Sequence, residues 1–395
     1  MEMKPDNALP ETKLPTAGFR AGDVQYFLEI PEDGMEISGA FVPVRGWVFH
    51  PDGVETVECR TTKGRVPAQV RFGRADVHKA FLEHPNAFHT GFYMEVDRKL
   101  WADGGELWIE TCEGEAHKFY TLNVTLHDEA FAQAHENLMK VLVCPTCFRK
   151  LEMLQAACSG CGRPVEWMGE CPSFLGKQPS PLARGEAVSR HAALENIVPD
   201  YFEITKEGLF LDAGAGWPPL GRGEVIQLEI ERFPSTNVVA DGAALPFADE
   251  TFDGVISHAV MEHVRDPFGY AKDLMRVLKP GARFICHSAF LQPVHGYPHH
   301  YFNTTLEGLK ELFKGCKIID EGVGEFQRPW LALEWILRSY VWGLNSEADR
   351  ERFKQMKVAD LLGDMDEDRP LSEFQDLSEK VNIELAAGVY ILGER

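Results

Sequence analysis

The C-terminal half of this sequence predicts an α/β fold built on a parallel sheet, preceded by an all-β, sandwich-like domain and a small metal-binding ribbon. Three observations carry that reading. Beyond residue 201, short apolar runs alternate with helix-like segments, as a parallel sheet with crossover helices requires. From Val24 to about Val124, short runs alternate apolar and polar residues between turn residues, the pattern of half-buried strands. Between the two regions four cysteines stand as C-x2-C-x10-C-x2-C.

The 395 residues suggest two or three domains. With 44% hydrophobic and 26% charged residues, the chain can bury real cores and is unlike a disordered polymer. Its 40 basic and 61 acidic residues give a net charge of −21, a field that repels phosphate backbones. A general nucleic-acid binder is therefore disfavoured, although a local basic face stays open. Residues 1–20 carry Pro5, Pro10 and Pro15 among charges and no apolar core, so they read as a disordered leader and not as a signal peptide. No stretch has the length of a membrane span; the most apolar window, Trp330 to Leu344, contains Glu334 and Arg338. A cytoplasmic protein is the expectation.

Residues 21–126 form the β-domain, with Val44 to Phe49, Val66 to Val70 and Glu106 to Glu110 as strands and Asp52-Gly53 as a turn. Residues 127–176 hold a helix, with Phe131, Ala134, Leu138 and Val141 on one face, and then the cysteines. Cys144, Cys147, Cys158 and Cys161 sit as two pairs on tight knuckles, so four thiolates can close a tetrahedral shell around one structural Zn2+ and leave no position for catalysis. Residues 177–200 are the linker, within a stretch rich in proline, serine and glycine. From Cys144 to Arg190 basic and acidic residues nearly balance, which is no obvious RNA footprint.

In residues 201–395, Leu209 to Asp212 reads as a buried strand, followed by the glycine turn Ala213-Gly214-Ala215-Gly216. A second strand, Val225 to Leu228, ends at Glu229, a carboxylate suited to accepting both hydroxyls of a ribose. A third ends at Asp241-Gly242, a fourth runs from Phe252 to His258, a helix covers 268–278, and Phe284-Ile285-Cys286 opens a fifth strand. Cys316 to Asp320 and Ala387 to Leu392 read as strands six and seven, with a helical insertion at 329–380 between them. Its large apolar residues, among them Trp330, Leu333, Trp335 and Trp342, leave three readings: ordinary core, the seam of a homodimer through 329–345, or a lid over an acceptor pocket.

The ordered set Asp212 to Gly216, Leu245-Pro246-Phe247, Thr251-Phe252-Asp253, Glu262-His263-Val264 and Arg276 to Gly281 closely resembles the type 11 family of class I S-adenosylmethionine (SAM)-dependent methyltransferases, over residues 208–290. The resemblance implies a Rossmann-like, seven-stranded sheet, SAM as cofactor, and methyl transfer as the activity. It places Asp212, Gly214 and Gly216 at the SAM amino-acid and ribose moieties, Glu229 on the ribose, and Asp241 on the adenine amino group. Gly242 and Ala243 then lie beside the ring, and Ser257 and His258 on the methionine side. One departure is marked: Trp217-Pro218-Pro219 stands where the first helix begins, and only twelve residues separate Gly216 from Glu229, so that helix is very short or absent. The cysteine region, with Pro145, Leu151, Gly169 and Pro172 to Leu175, resembles the Trm112-type zinc domain. Gly46-Trp47, Gly73 to Val77 and Thr90-Gly91-Phe92 resemble a β-domain found beside bacterial glycosyltransferases and methyltransferases.

Pro293 to Phe302 is a histidine-rich loop after the fifth strand, where an open α/β sheet places its active site. His295, His299 and His300, with His263 from the segment after strand four, are the candidates to take a proton from a hydroxyl as the methyl group transfers. The expected function is O-methylation of a sugar or other small hydroxyl acceptor in cell-surface polysaccharide biosynthesis. An RNA methyltransferase that uses the ribbon for recognition and a non-catalytic SAM-binding scaffold are the alternatives.

Overall fold

The computed structural model describes residues 19–362 and 376–378, apart from 75–76, 78–88, 102–103, 177–180, 182–193, 195–196, 199–201, 219–220, 297–298 and 325–326. The chain divides into two compact units. One comprises residues 1–260 and 268–287, and the other 261–267 and 288–395. The β-domain, the ribbon and the parallel sheet thus fall in one unit.

The N-terminal strands are β1 (Phe19–Ala21), β2 (Val24–Ile30), β3 (Met35–Ile37), β4 (Phe41–Phe49), β5 (Val54–Thr61), β6 (Gly64–Pro67), β7 (Gln69–Phe72), β8 (Gly91–Asp97), β9 (Gly105–Thr111), β10 (Ala116–Leu122) and β11 (Val124–Leu126). Residues 1–18 of the expected leader lie outside the described residues, but Phe19 and Arg20 already belong to β1, which pairs with β2. Two antiparallel sheets form, in orders β1-β2-β4-β8-β7 and β10-β9-β5-β6. Alternating inward residues of both, such as Val42, Val44 and Phe92 from the first and Val57, Leu107 and Ile109 from the second, share one core. That core continues beyond the β-domain, because Trp217, 3% exposed, is packed into it.

Helix α1 (Asp128–Val141) follows; Ala134 and Leu138 on its expected apolar face are buried. The ribbon then contributes a hairpin, β12 (Glu166–Met168) and β13 (Cys171–Ser173), and the parallel strands are β14 (Phe210–Ala213), β15 (Val225–Glu229), β16 (Val238–Val239), β17 (Phe252–His258) and β18 (Leu278–His287). The sheet is seven-stranded, in order β12-β13-β16-β15-β14-β17-β18. It is the Rossmann-like α/β sheet the sequence implies, but two of its strands come from the ribbon: Ser173 pairs with Val239, and the Phe174 N–H donates to the Val239 carbonyl at 2.9 Å.

One other expectation for this sheet changes. Cys316 to Asp320 is not a strand. Ile318 and Ile319 are 38% and 65% exposed, so the run lacks the burial on both faces that holds a strand within a parallel sheet. Ala387 to Leu392 lies outside the described residues, as does most of the expected linker. The short first helix is absent among the described residues between Gly216 and β15. Helix α1 packs against β15 instead, and its Asn137 amide donates to the Gly223 carbonyl at 3.0 Å.

Helix α2 (Pro267–Val277) buries Tyr270, Ala271, Leu274 and Val277. The Arg276 guanidinium donates to the carbonyls of Leu245 and Phe247 and pairs with Asp249 and Asp273, which pins the Leu245-Pro246-Phe247 turn. The second unit carries α3 (Leu306–Leu312), α4 (Pro329–Gly343), α5 (Glu347–Lys354) and α6 (Val358–Leu362), and Leu344 forms an antiparallel bridge with Leu377. In α4, Leu337, Tyr340 and Val341 pack on Leu344 and Phe353, whereas Trp330, Leu333 and Trp342 are 61%, 59% and 43% exposed. No helix among the described residues is long and apolar enough to cross a membrane.

Candidate functional site

The five strands β16-β15-β14-β17-β18 run parallel and reverse their order of addition beside β14, so the crevice at their carboxyl ends is where an open α/β sheet holds a ligand. Gly214 follows β14 with φ of +84°. A Cβ there would stand 2.2 Å from Val260 Cγ2, so only glycine fits. The turn is fastened to the next strand. Gly214 and Ala215 donate to the Leu228 carbonyl at 2.9 and 3.2 Å, and the Gly216 N–H donates to Glu229 Oε1 at 2.8 Å.

Glu229 Oε2 accepts from Ile230 and Glu231 at 2.7 and 3.4 Å. Burial pushes this carboxyl above the usual range, against the pull of those three backbone donors. An ionised carboxylate has about four lone-pair sites, so with three engaged by the backbone one remains to accept from a ligand. Asp212, 3% exposed, is pushed up to about 7 by its burial and secondarily by the charge of Glu229. Asp241 caps the short turn Gly242–Ala244, accepting from Ala243 N at 2.9 Å, and its exposed side chain can also accept from a ligand.

Ser257 is placed otherwise than the sequence suggests. It is fully buried, and its hydroxyl lies 3.0 Å from the Tyr270 hydroxyl. Successive strand residues face opposite sides of a sheet, so Ser257 and His258 do not line one surface. Tyr270, which the sequence reading missed, donates to the Ala213 carbonyl at 3.1 Å and packs its ring under Gly242. It ties β14, β17 and the Asp241 turn together; its only sequence signal is its place on the apolar face of α2. His258 Nδ1 lies 3.3 Å from Nδ1 of His287, a second missed residue, whose imidazole burial pulls down to about 4. The two stand in register at the ends of β17 and β18.

The cysteines converge. Their four Sγ atoms lie within 4.8 Å of one another, with Cys144 to Cys161 and Cys147 to Cys158 each at 3.5 Å. The backbone N–H groups of Gly160 and Cys161 draw the Cys158 thiol down. The knuckles are built alike: Cys144 N donates to the Arg149 carbonyl at 2.9 Å and Cys158 N to that of Arg163 at 2.8 Å.

The second unit gathers His263, His295 and His300. Ring centroids are 5.3 Å apart for His263 and His295, 5.6 Å for His263 and His300, and 4.6 Å for His295 and His300. His299 is different: it gives its carbonyl to His263 Nδ1 at 2.8 Å, while its exposed ring lies beside Tyr301. His300 accepts from the His295 backbone N–H through Nδ1 at 3.2 Å, and its Nε2 lies 2.6 Å from Asn303 Oδ1. The His300 ring therefore serves the loop, with neither nitrogen left as a proton acceptor for a substrate. His295 Nδ1 lies 2.8 Å from the Pro293 carbonyl, and its ring is 4.8 Å from that of Trp335. Carbonyls only accept, so His263 and His295 both carry the proton on Nδ1, and the lone pair is on Nε2. Burial pulls His295 down to about 4 and keeps it neutral. Glu262, also missed, is 1% exposed, and its Oε2 has no hydrogen-bond partner.

Residues 223–286 match a family model described as a methyltransferase domain. An uncharacterized methyltransferase of Schizosaccharomyces pombe is 44% identical over 57 residues, 14% of this chain and 20% of that protein. One of Mycobacterium tuberculosis is 33% identical over 104 residues, 25% of this chain and 39% of that protein. The chain thus spans well under half the length of these relatives. Among solved structures, the YcgJ protein of Bacillus subtilis shares 17% identity, covering 38% of this chain and 84% of its own, with a TM-score of 0.26, a likeness that carries no argument about function.

Proposed function

We propose, on the premise that this chain carries a class I SAM-dependent methyltransferase domain, that it moves a methyl group from SAM to a hydroxyl oxygen of a sugar or similar small acceptor in the building of a cell-surface polysaccharide. The observation that supports it best is the Gly214–Gly216 turn closed onto Glu229 at the carboxyl ends of β14 and β15. In this reading Glu229 accepts from a ribose hydroxyl, Asp241 accepts from the adenine amino group, and Gly242 and Ala243 lie under the ring. Asp212 and His258 face the remaining part of the cofactor, while Ser257 acts through Tyr270.

SAM supplies an activated methyl on a sulfonium. The chain must align the acceptor and remove its proton. The acceptor oxygen bonds to the methyl carbon as the carbon–sulfur bond breaks, and the hydroxyl proton passes to Nε2 of His263 or His295. The four thiolates of Cys144, Cys147, Cys158 and Cys161 hold one structural Zn2+, and the N-terminal β-domain binds glycan or mediates assembly. A homodimer through 329–345 would cover the exposed Trp330, Leu333 and Trp342.

The test is transfer of labelled methyl from SAM into separated polysaccharide, lipid, RNA and small-molecule fractions. Label in alkali-stable ether linkage to glycan or small hydroxyl compounds is expected. Label confined to RNA, or to amino groups, would overturn the assignment.

A further inference from the structure

The geometry points to a second metal site, in which Glu262, His263 and His295 hold a divalent first-row transition ion. One ligand atom from each of the three lies within 4.8 Å of the others. A tetrahedral site with bonds of about 2.0–2.1 Å sets neighbouring donors about 3.4 Å apart, so closing on an ion needs shifts of under about 1 Å from each side chain. Two imidazoles and a carboxylate are a donor set suited to zinc, manganese or ferrous iron.

Three independent features point the same way. The first is the tautomers: His263 and His295 each direct Nδ1–H at a backbone carbonyl, at 2.8 Å in both cases. That arrangement fixes the ring and puts the lone pair on Nε2, as in metal-binding histidines. The second is Glu262. Its Oε2 is buried and unpartnered, and among the described residues no lysine or arginine pairs with it. A buried carboxylate without a cation is costly, and an ion at the centre of this trio removes that cost. The third is the fit of the loop. Gly296 has φ of +98°, and a Cβ on it would lie 2.1 Å from His263 Cε1, so the loop backbone is pressed against that imidazole. Trp335 and His300 pack on His295 and wall the cluster.

Three protein ligands leave a coordination position open, unlike the closed four-cysteine site. A water or hydroxyl bound there has its pKa lowered by the ion and gives its proton to solvent. A lone pair that holds the ion does not also accept a proton, so metal content decides which role the histidines perform.

The experiment is titration of metal-free full-length protein with Co2+, followed by absorption spectroscopy and metal analysis, without SAM or acceptor. Its outcome is thus independent of the methyl-transfer assignment. Two equivalents are expected: one with intense thiolate charge-transfer bands and one with only weak ligand-field bands. Glu262→Gln, and separately His263→Ala with His295→Ala, should leave the thiolate site intact and weaken the second by about 100-fold or more. Glu262→Gln keeps the side-chain volume and so guards against misfolding of the double variant. A single equivalent with only the thiolate spectrum, or a second equivalent that binds unchanged in both variants, overturns the site.

Discussion

Glu229→Gln isolates the contact that joins the glycine turn to its strand. In the native protein the two carboxylate oxygens accept from opposite sides, Gly216 N–H at 2.8 Å and Ile230 N–H at 2.7 Å. An amide of the same shape keeps one acceptor, and its NH2 must then face the other N–H, donor against donor. One hydrogen bond to a charged group is lost, worth about 1.5–3 kcal/mol, with a backbone donor left without a partner. If SAM binding requires the turn as built, that loss appears as about 10- to 150-fold weaker affinity. Titration calorimetry with SAM measures it, with circular dichroism to establish that the variant is folded. A folded Glu229→Gln protein that binds SAM with native affinity would refute both the ribose assignment and the argument that this carboxylate shapes the site.

Two further outcomes follow from the same unit. Asp212 has its pKa raised to about 7 in the fold, against an ordinary value of 3.8, so between those values the native state holds the proton more tightly than the unfolded chain. The resulting stability is full below about pH 4 and is lost as pH rises to about 7. Asp212→Asn, which cannot ionise, should therefore gain stability relative to the native protein across that window in denaturant titrations at stepped pH; a pH-independent difference would contradict the buried-carboxyl assignment. Cys144→Ser should lower zinc to well below one equivalent at the thiolate site and reduce the melting temperature of the whole first unit, because the ribbon is hydrogen-bonded into the central sheet; loss of zinc with no thermal shift would show the ribbon to be energetically separate.

Much of this architecture is legible in the residues because the signals are local. The cysteine spacing reports two knuckles, and both form. The apolar runs at Phe210, Val225 and Phe252 report strands that are largely buried, and the run at Phe284 reports one that is half-buried. What escaped is long-range. A three-residue strand such as Cys171–Ser173 has no period to detect, and its partner, Val239, lies more than sixty residues away. Cys316 to Asp320 carries the composition of a strand without the burial that makes one. In the loop, counting histidines could not show that His300 is held by Asn303, or that Glu262, next to His263, would be turned inward with an unpartnered oxygen. Those facts depend on which nitrogen meets which carbonyl.

The place of the ribbon hairpin in the sheet has a consequence for how the protein fails. With the ribbon folded, β16 is an interior strand, and the sheet ends on that side at β12, only three residues long. A short terminal strand offers little to a passing chain. If metal loss unfolds the knuckles, the hairpin has nothing to hold it, and Val238 and Val239 become the rim of a parallel sheet, two apolar β-branched residues with unmet backbone groups. Such a rim recruits strands from other molecules. A metal held by the four thiolates would then act as a guard against polymerisation, and metal-starved protein would be lost to self-association.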